Sequence, residues 1–306
     1  MDNFFTKTVI SKNQFIDRIN GVELYLKRED QIHPYISGNK FRKLKYNLLK
    51  AKQQKSASVL SFGGAYSNHI AALAEACKLT KLKSIGIIRG DELGQNLEKT
   101  LSENQTLKRA YSNGMQLHFV SRADYRKKEF LPLVNRLLES ENALLIPEGG
   151  TNQLAIKGCQ EILTQADNDF DVIACSLGTS GTFSGLVEAS NSKQYLLGFP
   201  ALKGDFFHNE IKKYTSKSNW RLADYHFGGY AKYSVELINF MNDFKQKYGV
   251  SLDPIYTGKM MYGLLELVKS GHFSKNTRIL AIHTGGLQAI QGFNKRLVTK
   301  NEPQII

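Results

Sequence analysis

Cysteine is scarce: 306 residues hold 3, namely Cys77, Cys159 and Cys175. An odd, widely spaced set excludes a disulfide-stapled scaffold and offers no metal-ligand spacing. Each thiol lies in an apolar or small-residue segment, so buried thiols in a reducing compartment, the cytoplasm by default, are expected. Proline is rare, 6 in all, and no proline-rich or serine-glycine tract marks a linker. No run reaches the ~18 apolar residues of a membrane span. No basic start leads into an apolar stretch, so neither insertion nor secretion is encoded. Acidic side chains are outnumbered, 28 against 41 Lys and Arg, for a net charge of +13. That excess favours anionic partners. However, Lys50, Lys52 and Lys55, and Arg126, Lys127 and Lys128, form short clusters in helical-looking segments without the aromatic spacing of a base-stacking surface. A solvated basic surface is expected, and no nucleic-acid partner.

What is present is the material of an α/β protein. With 42% hydrophobic and 23% charged residues, disordered and fibrous classes drop out. Short apolar runs at 58–62, 84–88, 115–120, 143–146, 171–176, 194–199 and 278–282 alternate with helical patterns. Ile70, Leu73, Ala74 and Cys77 mark one helical face; Phe41, Leu44 and Leu48 mark another. That order predicts open, mostly parallel sheets flanked by helices. In such sheets ligands bind at loops leaving the carboxyl ends of strands. SFGGAYSN, IPEGGTN, CSLGTSGTFSG and AIHTGG all follow strand-like runs.

In CSLGTSGTFSGL, Gly178, Thr179, Ser180, Gly181 and Thr182 sit between a strand and a small-residue helix. Freed backbone N–H groups, hydroxyls and the positive end of a helix dipole suit a phosphate; the bland reading is a capped tight turn. A nucleotide P-loop would need GxxxxGK[ST], and a dinucleotide fold GxGxxG; neither is present. Lys40 follows Ser37, Gly38 and Asn39 at a helix start, where a cation is disfavoured and an amine can become a nucleophile; with Lys43 and Lys45 nearby, it could equally be a surface lysine. Ser67 and Asn68 begin another helix after two glycines, as an N-cap or as a carboxylate pocket. His69 on the same turn reads as a hydrogen-bonding residue of the fold.

Taken together, KRED at 27–30, SGNKFRKLKYNL, GGAYSNH, PEGGTN, CSLGTSGTFSGL, DPIYTGKMMYGL and HTGG resemble the family of 1-aminocyclopropane-1-carboxylate (ACC) deaminases and D-cysteine desulfhydrases. These are pyridoxal 5'-phosphate (PLP) enzymes of the tryptophan synthase β-like fold, fold type II. The resemblance spans roughly Gly21 to Gly292. It implies two α/β domains with the active site in the interdomain cleft: a large PLP-binding domain of residues 1–42 and 155–306 and a small domain of 43–154, in a homodimer. It implies Lys40 as the Schiff-base lysine, Lys43 near the cofactor phosphate and Asn68 beside the pyridine 3-hydroxyl. It also implies Gly178, Thr179, Ser180, Gly181 and Thr182 as the phosphate loop, and Thr284 near the pyridine nitrogen. Ser67 and Tyr256 would be catalytic, and Ser67, Asn68, His69 and Tyr256 would meet the substrate. No metal is implied.

Departures bear on the substrate. Where the deaminases carry a second active-site tyrosine, in an LYAHLGG-like segment, this chain has Ala281, and Tyr66 replaces the glutamine usual before the serine-asparagine pair. A neutral Thr284 at the ring nitrogen suits elimination of a good leaving group better than cyclopropane opening. The expected activity is therefore that of a lyase on a small amino acid, D-cysteine first, giving pyruvate, hydrogen sulfide and ammonia. ACC is the alternative, giving 2-oxobutanoate and ammonia. A PLP-binding protein without significant catalysis is the rival of another class.

Overall fold

The computed structural model describes residues 9–306. In chain order, β1 (Asn13–Ile19) and β2 (Val22–Lys27) precede α1 (Asn39–Gln53). Then follow β3 (Ser58–Gly63), α2 (Asn68–Thr80), β4 (Lys83–Arg89), α3 (Leu97–Glu103), α4 (Gln105–Ser112), β5 (Met115–Val120), α5 (Arg122–Tyr125), α6 (Pro132–Ser140), β6 (Ala143–Leu145) and α7 (Gln153–Gln160). The chain continues through β7 (Val172–Leu177), α8 (Gly181–Ala189), β8 (Tyr195–Pro200), α9 (Phe206–Lys212) and β9 (Trp220–Leu222), and ends with α10 (Val235–Tyr248), α11 (Thr257–Lys269), β10 (Arg278–Ile282) and α12 (Ala289–Thr299). It divides into two compact units, one built on Lys40–Gly158, the other on Ile10–His33, Ser37–Asn39 and Cys159–Ile306.

The first unit holds a four-stranded sheet, order β5-β4-β3-β6, parallel throughout. Every residue of β3 is buried, as a parallel strand covered on both faces requires. Leu60, Phe62, Ile85 and Ile87 pack with Val134 and Leu137 of α6. Helix α2 buries Ile70, Leu73 and Cys77. Because β3 and β6 are parallel neighbours, the loops after them, GGAYSN and PEGGTN, leave the same end of the sheet side by side.

The second unit holds a six-stranded sheet, order β1-β2-β10-β7-β8-β9. All pairings are parallel except β1 with β2. That hairpin turns at Asn20 and Gly21, with φ of 53° and 84°, the left-handed pair favoured by Asn-Gly in a type I′ turn. Its strands carry Asp17, Arg18, Glu23 and Lys27, so they contain no apolar run of the kind that marks the parallel strands. The core joins Leu24, Leu26, Ile279 and Ala281 of the sheet to Met241, Met260 and Leu264 of α10 and α11. Here β10 and β7 are parallel neighbours, which puts the loops GTSG and HTGG beside one another. None of the three cysteines forms a disulfide, and all are buried; burial pushes the Cys77 thiol well up. Among the described residues, no helix is long and apolar enough to cross a membrane.

Candidate active site

The segment leading to Lys40 is fastened by its backbone. In KRED, Lys27 makes a fully buried ion pair with Asp167 at 2.8 Å, Arg28 pairs with Asp30 at 2.7 Å, and the Glu29 carbonyl accepts the Gly38 N–H at 2.9 Å. Gly38 has φ +64°, and a Cβ there would lie 1.8 Å from the Thr284 carbonyl oxygen, so only glycine permits this approach. Asn39 N–H donates to that oxygen at 3.1 Å, and Asn39 Nδ2 donates to Thr182 Oγ1 at 2.8 Å. Gly286 N–H donates to Ser37 Oγ at 3.2 Å. The spacing of SGNK therefore matches HTGG and the GTSGT loop because Ser37, Gly38 and Asn39 are bound to both. Lys40 is the next residue along the chain, in the first turn of α1.

The loop after β7 reaches α8 through Ser180 at φ +58°, a left-handed position that strains a side chain. The Gly181 N–H donates to the Thr179 carbonyl at 2.7 Å. Ser180 Oγ is buried and has no hydrogen-bond partner among the described residues, an arrangement that costs free energy unless a ligand completes it. The first amides of α8 likewise lack intrahelical acceptors. This cradle fits a phosphate. Thr284 is 7% exposed at the end of β10, its Oγ1 3.4 Å from Ser176 Oγ.

Tyr256 precedes α11 and is held by Asp253, whose carboxylate accepts the N–H groups of Ile255, Tyr256 and Thr257 at 2.8 to 2.9 Å. A Cβ on Gly178 would lie 2.9 Å from Tyr256 Cε1, so the ring rests on the opening glycine of the GTSGT loop. The second unit thus brings together Gly178 to Thr182, Thr284 and Tyr256.

The first unit brings together the others. Ser67 Oγ accepts the Ile70 N–H at 3.2 Å and caps α2, with Asn68 as the first helical residue. Lys43 Nζ donates to the Gly149 carbonyl at 3.1 Å and to Thr151 Oγ1 at 2.9 Å. The His69 ring is buried. Ser61 Oγ donates to the Ile146 carbonyl at 2.7 Å, so its one proton is spent and it accepts from His69 Nε2–H at 2.8 Å. That fixes the tautomer and leaves Nδ1 as a buried acceptor without a partner among the described residues. Desolvation first, then the ammonium groups of Lys40 and Lys43, hold this imidazole well below its ordinary pKa, so it is neutral. Burial, then Glu103, pushes the Tyr66 phenol up.

Ala281 changes meaning in the structure. It is fully buried, paired with Leu26 and Ala174 across the sheet and part of the apolar core. Its methyl group faces that core, and a tyrosine at this position would need room there. Residues not read from the sequence as part of the site are Asn39, Ser61 and Ser176. Asn39 and Ser176 carried a sequence signal, their places inside SGNK and CSLGTSG.

A family profile described as pyridoxal-phosphate dependent enzyme matches residues 3–285. The chain belongs to this family. A putative ACC deaminase of Pyrococcus abyssi is 29% identical, covering 93% of this chain and 92% of the relative. A mitochondrial bifunctional D-cysteine desulfhydrase/ACC deaminase of Arabidopsis thaliana is 32% identical over 88% of this chain and 73% of its own. The crystal structure of an ACC deaminase homologue superposes with a TM-score of 0.81 at 27% identity, covering 96% of this chain and 95% of that one. The protein is a PLP-dependent enzyme, and the buried Ser180 hydroxyl at the start of α8, without a hydrogen-bond partner among the described residues, fits the cofactor's phosphate.

Proposed function

We propose that the chain is a lyase acting on a small amino acid, with D-cysteine as the leading substrate: D-cysteine and water give pyruvate, hydrogen sulfide and ammonia. PLP supplies an electron sink that weakens bonds at the substrate α-carbon. In this reading Gly178, Thr179, Ser180, Gly181 and Thr182 hold the phosphate, with Lys43 contributing charge nearby. Asn68 donates to the ring hydroxyl, and Thr284 meets the ring nitrogen. Lys40 anchors the cofactor and then receives the α-proton at Nζ. Ser67 directs its hydroxyl proton to the substrate carboxylate, since one oxygen lone pair already accepts the Ile70 N–H; Asn68 and His69 complete this end of the pocket. Tyr256 hands its phenolic proton to the departing sulfur.

The observation that carries D-cysteine is the neutral, buried Thr284 at the end of β10. A hydroxyl does not hold a ring nitrogen protonated as a carboxylate does, and a good sulfur leaving group tolerates the weaker sink. ACC, which yields 2-oxobutanoate and ammonia, is the second reading. It is favoured by the bifunctional relative at 32% identity, while Ala281 in place of the second tyrosine counts against it. We also propose a homodimer working in the cytoplasm, which suits three buried thiols, with residues 1–42 and 155–306 as the PLP-binding domain and 43–154 as the smaller one.

The test is the visible spectrum of the purified protein with PLP, before and after D-cysteine, with pyruvate followed in the same cuvette. A cofactor band that shifts as pyruvate appears is expected, and Lys40→Ala should lower turnover at least about a thousandfold while keeping the fold. A band that D-cysteine leaves unchanged, with ACC converted to 2-oxobutanoate, would replace the substrate. A band that no amino acid perturbs would establish the non-catalytic rival.

A further inference from the structure

Lys259 lies in α11, three positions after Tyr256, and is 1% exposed. Its Nζ donates to the His226 carbonyl at 2.8 Å and to the Gly229 carbonyl at 2.7 Å. Burying an ammonium is costly unless its protons are well placed; burial pushes this amine down to about 8, with Asp253 opposing. The segment it grips does not hold its shape on local preference. Phe227, Gly228, Gly229 and Ala231 have φ of 54°, 85°, 116° and 55°, a left-handed run that strains the two residues carrying a Cβ. At its crest is Tyr230, 49% exposed, whose ring meets Tyr256 edge to face with centroids 6.4 Å apart. The Tyr256 ring in turn rests on Gly178.

We infer that Lys259 is a positioning residue: by tying the carbonyls of His226 and Gly229 it sets Tyr230 against Tyr256 and fixes the direction of the Tyr256 phenol. The inference rests on the proposed role of Tyr256 and extends it to two residues to which that reading assigns no part. Lys259 and Tyr256 ride on one helix, so the lysine ties the strained segment to the frame that carries the phenol. A misplacement of about 1 Å in a reacting group can cost a hundredfold in rate, enough to justify burying a cation for this purpose.

The test is a double-mutant cycle on the PLP-loaded protein, with D-cysteine as substrate and rates expressed per bound cofactor. Tyr230→Ala and Lys259→Met should each lower kcat about tenfold with KM changed less than about threefold. The double variant should fall no further than either single one. Amide exchange across 226–231 should rise about tenfold in Lys259→Met while the cofactor band is unchanged. Multiplicative losses, a wild-type kcat in Tyr230→Ala or Lys259→Met, or unaltered exchange would overturn the inference. Tyr230 is half exposed, so its variants answer even if Lys259→Met does not fold. Full activity in Tyr256→Phe would instead overturn the assigned role of Tyr256, leaving the exchange measurement to decide whether Lys259 holds the segment.

Discussion

Two glycine-opened loops, one in each unit, begin alike and are used differently. Both follow a buried parallel strand and lead through a serine into a helix. In the first unit Ser67 spends its oxygen on its own helix, accepting the Ile70 N–H, and Gly63 makes room for that turn: a Cβ there would lie 2.4 Å from Ile70 Cγ1 and 2.6 Å from Ser67 Oγ. In the second unit Ser180 is left-handed, does not cap α8, and keeps a buried hydroxyl unspent, while Gly178 makes room for the ring of Tyr256. The lesson is that similar sequence at a strand-to-helix junction distinguishes a self-satisfied turn from a ligand cradle only through where its polar atoms go.

The strongest way to break that comparison is at the glycines. Gly178→Ala should displace Tyr256 and lower kcat about a hundredfold with little change in unfolding midpoint. Gly63→Ala should instead overpack its own turn and cost about 1–3 kcal/mol in urea unfolding. Equal destabilisation by both would show that the two loops serve the same purpose.

The serines sharpen it further. Ser180→Ala removes no hydrogen bond seen within the described residues, so the thermal midpoint of the cofactor-free protein should hold while the PLP dissociation constant rises about tenfold, read by fluorescence titration. Ser67→Ala removes a helix cap and should cost about 1 kcal/mol by urea unfolding even without cofactor. A Ser180→Ala protein that loses stability and binds PLP normally would make the Ser180 loop a mere turn.

Much of the fold was legible in the sequence. Parallel strands covered on both faces are apolar over most of their length, so the runs at 58–62, 84–88 and 194–199 announced β3, β4 and β8. The loops that follow them were legible for the same reason. The β1–β2 hairpin was not read from apolar runs, because its strands interleave charged residues; its signal was the Asn20-Gly21 pair. Of the candidate site, Ser180 and Thr182 could be located from glycine spacing, but whether an oxygen is spent or unspent is a fact of three-dimensional packing. Lys259 stands inside DPIYTGK, but its relation to Tyr230 was illegible because it depends on a left-handed segment tied to a lysine some thirty residues further along the chain. Ala281, weighed in the sequence as chemistry, also packs in the core beside Leu26 and Ala174, a second constraint that the sequence does not show.

The smallest expected effect concerns His69, the buried polar group beside the self-satisfied loop. Its folded pKa lies below the ordinary value because burial and then Lys40 and Lys43 oppose a charge, so the unfolded chain takes up a proton first as pH falls. Stability from this residue is therefore complete above the unfolded pKa of about 6.5 and is lost as pH drops through that value, by about 0.7 kcal/mol between pH 7 and pH 6 if the folded form stays neutral. His69→Gln keeps an N–H for Ser61 and cannot titrate, so its urea-unfolding free energy should vary less over that interval than that of the wild type. Identical pH slopes would mean that the bare Nδ1 accepts a proton in the folded protein. The first unit would then hold a chargeable imidazole beside its loop, and the contrast between the two loops would weaken.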